Sequence, residues 1–192
     1  MLWRTGAETP AGDWRRAPAN RESTRKDHVK IDGVPATDEG SLPTQFEQTL
    51  LIRCPPTRVM AAFFEPEALA VWWQAIRSVT SPRPLGVYAV EWEPSTERDD
   101  LLGRLGGVFH GTVMEYLPGR ELFVADAWWL PPDDEPIGPM ALQVSCMLEG
   151  ASCRLRVRQS GFEDSLRWRR YYAVIARGWQ SSLASLKEHL ER

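Results

Sequence analysis

The cysteines and histidines of this chain lack the spacing of a metal site or a redox pair. The three cysteines, Cys54, Cys146 and Cys153, form neither a C-x-x-C pair nor a zinc ribbon. An odd number of cysteines also fits poorly with a disulfide framework, and no phosphate-binding loop of the Walker type is present. The sequence therefore predicts no metal, no cofactor and a reducing, cytoplasmic location.

Acid or base catalysis would need a titratable side chain inside the folded domain. His110 lies alone in a strand-like segment, and Glu91, Glu115 and Asp126 lie in segments of the same kind. A carboxylate buried in a cavity has a raised pKa that suits proton transfer, so an enzyme using one of these groups is an alternative. Spacing pairs no base with a nucleophile, and no catalytic residue is assigned.

The aromatic residues carry more information, because nine tryptophans occur and seven of them follow Val71. An indole ring has a large apolar surface, so we expect most of them to be buried or to line a cleft. Trp72 and Trp73 would lie 100° apart on a helix, which predicts one ring in the core and one at a cavity mouth. In the alternative, both rings are core packing. Trp128 and Trp129, adjacent on a strand, must face opposite sides.

These side chains must be positioned by strands in the middle of the chain and by a helix at its end. Phe46, Leu50 and Ile52 alternate with polar residues, which predicts a first strand, and helix starts follow at Pro56 and Pro66. Short Pro, Gly and Asp turns make the remaining strands an antiparallel sheet of about six in all. The further strands are predicted at 85–92, 107–116, 121–129, 140–148 and 152–160, and two longer loops, 94–106 and 131–139, are predicted pocket rims.

The last segment, 164–192, has the periodicity of one long amphipathic helix with Asp164 as its cap. Gly178 in its middle costs about 1 kcal/mol in helix propensity, so it needs a reason, such as close approach of a strand or room for a ligand. The apolar stripe consists of Trp168, Tyr172, Ile175, Trp179, Leu183, Leu186 and Leu190.

Composition and charge divide the chain into a tail, 1–43, and a domain, 44–192. The tail is polar and shows no period, which predicts disorder, although Trp3 and Trp14 leave open a docking peptide for a protein partner. The net charge of −3 is too small to favour nucleic acid. No apolar run is long enough to span a membrane and no signal peptide is expected, so membrane insertion is not predicted.

Three segments, "CPPTRVMAAFFEPEALAVWW", "GTVMEYLPGRELFV" and "GFEDSLRWRRYYAVIARGWQSSLASLKEHL", resemble the START-like (SRPBCC) superfamily, in the branch of the heat-shock-protein-90 ATPase activator homologues. The resemblance covers about residues 45–190. It implies an α+β helix-grip fold, in which a curved antiparallel sheet holds the long C-terminal helix, with two short helices after the first strand. In relatives, the cavity between sheet and helix holds apolar or amphipathic small molecules.

The resemblance therefore predicts a protein that binds a small apolar molecule or lipid in this cavity. The alternatives are an enzyme acting on such a ligand through a cavity carboxylate or His110, and a co-chaperone-like protein-interaction module. The expected ligand-binding residues are Trp72, Trp73, Trp92, Phe109, Trp128, Leu142, Phe162, Trp168, Tyr172, Ile175 and Trp179.

Overall fold

The computed structural model describes residues 43–192. The predicted tail and its alternative, a docking peptide within 1–43, lie outside these residues apart from Pro43. The described part forms an antiparallel sheet of seven strands in the order β1-β9-β8-β7-β6-β3-β2. Its strands are β1 (Gln45–Ile52), β2 (Arg77–Thr80), β3 (Gly86–Trp92), β6 (Gly107–Leu117), β7 (Glu121–Leu130), β8 (Ile137–Glu149) and β9 (Ser152–Ser160), and a separate short pair is formed by β4 (Arg98–Asp99) and β5 (Gly103–Arg104).

The predicted α+β architecture is confirmed, with one strand more in the sheet than the expected six. The additional strand is β2, a four-residue edge strand paired only with β3. Its apolar residue, Val79, is exposed, so the strand lacks the half-buried alternation that identifies the others. Strand β8 also begins earlier than expected, because residues from Ile137 onward, inside the predicted 131–139 loop, already pair with β7.

Two short helices, α1 (Pro56–Ala61) and α2 (Pro66–Trp72), follow β1, as the proline positions predicted. Proline is favoured in the first helical turn, where its missing N–H needs no partner. Side chains from the sheet hold this segment in place. The hydroxyl of Tyr88 donates to the carbonyl of Phe63 at 3.1 Å, and Thr80 Oγ1 donates to the carbonyl of Phe64 at 2.7 Å.

The C-terminal helix, α3 (Leu166–Leu190), spans about 37 Å at 1.5 Å per residue. Ser165 caps it, since its hydroxyl accepts a hydrogen bond from the backbone N–H of Trp168 at 3.2 Å. The prediction of Asp164 as the cap is wrong by one position. The carboxylate of Asp164 instead pairs with the guanidinium of Arg169 at 2.6 Å, on the exposed side of the first turn.

The helix lies against the sheet through aromatic and aliphatic contacts that run along its length. The ring of Trp179 stacks on that of Phe46 in β1, with centroids 6.4 Å apart, and the ring of Tyr171 lies 5.4 Å from that of Trp129 in β7. Leu183 and Leu186 are fully buried further along the helix. The sheet therefore contacts both halves of the helix. The middle of the helix faces a cavity.

Candidate functional site

A cavity of about 410 Å³ lies between the end of α2, the inner face of the sheet and the middle of α3. This volume falls in the range of small-molecule sites, about 300 to 1,000 Å³. Small polar residues, three of them serines of α3, contribute to the lining beside the aromatic rings. The aromatic members of the lining are Trp72, Trp73, Trp92, Phe109, Trp129, Tyr171 and Trp179.

Trp72 and Trp73 both line the cavity, although they were expected to separate between core and mouth. Trp72 is 1% exposed and Trp73 is half-buried, but their rings stack with centroids 4.9 Å apart and an interplanar angle of 8°. An indole reaches far enough from its Cβ for two adjacent rings to converge. Trp73 then meets the rings of Trp92 and Trp179, each at 5.0 Å, and these three rings form one continuous aromatic wall.

Four of the five lining indoles donate their N–H groups to the protein, so these rings present mainly apolar surface to the cavity. Trp72 Nε1 donates to the carbonyl of Ala62 at 2.8 Å, and Trp92 Nε1 donates to that of Trp73 at 2.7 Å. Trp129 Nε1 donates to the carbonyl of Gly106, also at 2.7 Å. A buried N–H with an acceptor costs little, whereas an unpaired one would cost about 1–3 kcal/mol.

On β7 the structure brings Trp129 to the cavity, and the expected Trp128 lies on the other face. The cause is a bulge, because the pairing of β7 with β8 shifts between Val124 and Ala127, where Asp126 has a positive φ of 48°. One extra residue moves the following side chains to the opposite face. Trp128 consequently pairs across the outer face with His110 and donates its indole N–H to Asp126 at 3.0 Å.

On α3 the cavity wall is formed by Tyr171, Val174, Ile175, Gly178 and Trp179, so Tyr171 takes the place expected of Tyr172. Both positions fit an apolar stripe, since they lie three and four residues after Trp168. Three expected aromatics form a cluster behind the wall instead. Phe162 contacts the rings of Trp168, Tyr171 and Tyr172 with centroids 5.6 to 6.3 Å apart.

Leu142, also expected in the site, is fully buried on β8 and does not line the cavity. Of the expected residues, six line it: Trp72, Trp73, Trp92, Phe109, Ile175 and Trp179.

The titratable groups named as catalytic alternatives all lie away from the cavity. Glu91 pairs with the guanidinium of Arg77 at 2.6 Å on the outer face, and Glu115 and Asp126 are exposed. His110 follows Phe109 on β6 and therefore faces the outer side. The carboxylate that does line the cavity, Glu93, lies beyond the end of β3, where no strand alternation could have indicated its direction.

A buried polar pair, Gln159 and Tyr171, also lines the cavity and was not expected. Gln159 is 3% exposed, and its amide nitrogen lies 3.1 Å from the hydroxyl of Tyr171. Its amide oxygen accepts the indole N–H of Trp179 at 2.9 Å. The sequence did hold a signal for Gln159, because it continues the inward alternation of Leu155 and Val157 along β9.

One rim of the cavity is fixed to α3 by an ion pair. The loop 94–106 contains Asp99, whose carboxylate lies 2.6 Å from the guanidinium of Arg170 and accepts the backbone N–H groups of Leu101 and Leu102. Burial would raise the pKa of Asp99, but these hydrogen bonds and the Arg170 charge outweigh it and hold the pKa below its ordinary value of 3.8. The same loop supplies Ser95, Leu105 and Gly106 to the lining.

Gly178 lies in open space on the cavity side of α3. A Cβ built on it would meet no atom within 4 Å, so no strand approaches closely enough to require a glycine. Of the two reasons expected for this glycine, close approach of a strand is therefore excluded.

No group of three or more His, Cys, Asp or Glu among residues 43–192 could hold a metal ion. No helix in this range is long and apolar enough to cross a membrane.

The fold and cavity together define the class of protein. An antiparallel sheet that holds a long C-terminal helix, with two short helices after the first strand, is the helix-grip architecture of the START-like superfamily. Residues 53–191 match the family described as "Activator of Hsp90 ATPase homolog 1-like protein". Since this match spans more than half of the chain, the protein belongs to that family, as the sequence resemblance predicted. No curated protein matches the chain.

Solved structures of other proteins share this fold. Protein CV1439 from Chromobacterium violaceum is 24% identical with a TM-score of 0.59, covering 79% of this chain and 99% of its own. The Aha1 dimer from Colwellia psychrerythraea is 14% identical with a TM-score of 0.55, covering 77% and 96%. CalU16 from Micromonospora echinospora is 15% identical with a TM-score of 0.51, covering 74% and 71%. At these identities the likeness shows the fold alone.

Proposed function

We propose that this protein binds a small, mainly apolar or amphipathic molecule in the cavity between the sheet and α3. The observation that carries the proposal is the cavity wall, in which five indole rings surround about 410 Å³. Three of these rings donate their N–H groups to backbone carbonyls and turn apolar faces inward. Such a surface gains free energy by covering an apolar ligand, at about 25 cal/mol per Å² removed from water.

The energy of the cavity supports an occupant. The exposed lining residues Gln74, Glu93 and Ser181 show that the cavity is open to solvent, so its apolar walls face water when no ligand is bound. Apolar surface in contact with water costs about 25 cal/mol per Å² relative to contact with an apolar ligand. Water could fill part of the space near the serines, but water gains little beside indole faces. An apolar ligand removes this cost, and binding therefore also stabilises the fold.

A cytoplasmic location and a small apolar molecule or lipid as partner belong to this proposal. Three free thiols in the described residues, all of them buried, are compatible with a reducing compartment.

Native mass spectrometry of the protein purified from its own cells tests the proposal directly, because a retained small molecule adds a discrete mass. Fluorescence titration with N-phenyl-1-naphthylamine, a neutral apolar probe, measures the capacity of the cavity in parallel. Val174→Phe places a ring into the lining, and Ala173→Phe places the same ring on the adjacent, exposed position of α3. We expect Val174→Phe to weaken probe binding at least tenfold and Ala173→Phe to leave it unchanged.

Circular dichroism and thermal denaturation establish that both variants are folded before their affinities are compared. A protein that carries no added mass and gives no probe response contradicts the proposal. An equal effect of the two phenylalanines would show that the probe binds outside the cavity, and it would contradict the proposal equally.

A further inference from the structure

The hydrogen bonds between Gln159, Trp179 and Tyr171 have only one consistent direction. An indole N–H can only donate, so the Gln159 atom that lies 2.9 Å from Trp179 Nε1 must be the amide oxygen. The other end of the amide is then the NH₂ group, which has two protons. It lies 3.1 Å from the Tyr171 hydroxyl and 3.1 Å from the sulfur of Met140, so both protons have acceptors.

This direction leaves the hydroxyl proton of Tyr171 without an acceptor. The hydroxyl oxygen accepts from Gln159, so its own proton must point elsewhere, and the hydroxyl donates no hydrogen bond to any of the described residues 43–192. Tyr171 is 4% exposed, and burial raises the pKa of its hydroxyl far above the ordinary value of 10, so the group keeps its proton. Buried donors in native proteins nearly always have an acceptor.

The cavity is the space in which that acceptor would lie, since Tyr171 and Gln159 both line it. The charge of the lining restricts the chemistry of the acceptor. Glu93 is the one charged side chain among the lining residues, and the lining contains no lysine, arginine or histidine. A carboxylate or phosphate ligand would meet no counter-charge there and a like charge at Glu93, so an anionic acceptor is disfavoured.

We propose that the ligand of this cavity is a neutral, largely apolar molecule with a carbonyl oxygen, and that this oxygen accepts the hydroxyl proton of Tyr171. The proposal rests on the proposed function and names the polar group of its ligand. Gln159 is a positioning residue, because its NH₂ group occupies the acceptor side of the hydroxyl and turns the proton toward the cavity. Trp179 in turn fixes the orientation of the amide.

A matched pair of probes tests the proposal: 2-acetylnaphthalene, which has a ketone, and 2-ethylnaphthalene, which has the same shape without the oxygen. Affinities are measured by calorimetry for the wild type, Tyr171→Phe and Tyr172→Phe. Tyr172 provides the control, since it is the neighbouring tyrosine and does not line the cavity. Each ligand is compared with itself between variants, because the hydrocarbon is the more hydrophobic of the two.

We expect Tyr171→Phe to weaken binding of the ketone about three- to tenfold, the range of one neutral hydrogen bond, and to leave the hydrocarbon unchanged. Tyr172→Phe should change neither affinity. Equal effects of Tyr171→Phe on both probes, or no effect on the ketone, would overturn the carbonyl proposal and leave the apolar site in place. If neither probe binds the wild type, the proposed function itself fails, and the carbonyl proposal falls with it.

A second measurement does not depend on the folding of a variant. The carbonyl ¹³C resonance of labelled 2-acetylnaphthalene moves downfield when the oxygen accepts a hydrogen bond. Bound to the wild type, it should lie near its position in an alcohol. A bound resonance at its position in hexane would show that the ketone has no donor, and it would overturn the proposal.

Discussion

Gly178 allows a quantitative test of whether the cavity accounts for a glycine in the middle of α3. Mid-helix glycine is destabilising by about 0.8–1.0 kcal/mol relative to alanine, because its backbone loses more freedom on folding. Nothing in the fold opposes an alanine here, since a Cβ on this residue would meet no atom within 4 Å. Gly178→Ala should therefore stabilise the ligand-free protein by nearly the full helix-propensity difference.

The size of the effect follows from the size of the domain. Unfolding entropy is about 2.1 cal/mol/K per residue, or about 0.3 kcal/mol/K for the 150 residues described. A gain of about 1 kcal/mol then corresponds to a rise in Tm of about 3 °C. Differential scanning calorimetry of the ligand-free wild type and Gly178→Ala measures this rise.

The same position should respond differently to a large side chain. Gly178→Leu also removes the glycine penalty, but its side chain must occupy the space next to Val174 and Trp179 in the cavity lining. We expect Gly178→Leu to remain folded and to bind N-phenyl-1-naphthylamine at least fivefold more weakly, whereas Gly178→Ala binds it within about twofold of the wild type. A fall in Tm for Gly178→Ala would refute the reasoning, because it would show that this position is not open.

Two further predictions concern the parts of the fold that shape the cavity. Asp99→Asn keeps the acceptor for Leu101 and Leu102 but removes the charge facing Arg170, so it should cost about 1 kcal/mol at pH 7 in urea denaturation. Since the pKa of Asp99 is lower in the folded than in the unfolded protein, its stabilising contribution is present above about pH 4 and is lost as the pH falls through the folded pKa. A difference in unfolding free energy between wild type and Asp99→Asn that persists unchanged at pH 2 would contradict this prediction. Asp126→Val places a β-branched residue at a φ of 48° and should lower the free energy of unfolding by about 1–2 kcal/mol, whereas Asp126→Asn should lower it little. Equal losses of stability for the two variants in urea denaturation would show that the conformation at this bulge is not strained.

The fold was largely predictable because its signals are local and repeated. Alternation identified β1 and β9, and the step of three or four residues identified α3. The edge strand β2 was not predicted, because its apolar side chain, Val79, is exposed and its sequence shows no buried face.

The residues of the site were harder to predict, and the reasons are specific. Alternation along β7 holds from Leu122 to Val124 and then changes phase at the bulge, so counting by two selects Trp128 where the structure places Trp129. On α3, spacing cannot choose between Tyr171 and Tyr172, since both fit the stripe. The choice depends on a partner from β9, the amide of Gln159, which only the tertiary structure brings to Tyr171.

The hydrogen bonds of the tryptophans also bear on whether these rings could simply collapse into the space between sheet and helix. A collapsed wall would require the indoles to rotate, and rotation would break the bonds from Trp72, Trp92 and Trp129 to backbone carbonyls. Each N–H left unpaired would cost about 1–3 kcal/mol, so loss of the three bonds together would cost about 3–9 kcal/mol and would oppose collapse. The carbonyls of Ala62, Trp73 and Gly106 belong to three different segments, so no single loop movement could follow the rings inward. Hydrogen bonds to backbone carbonyls therefore hold the wall open, and the cavity is preformed before any ligand binds.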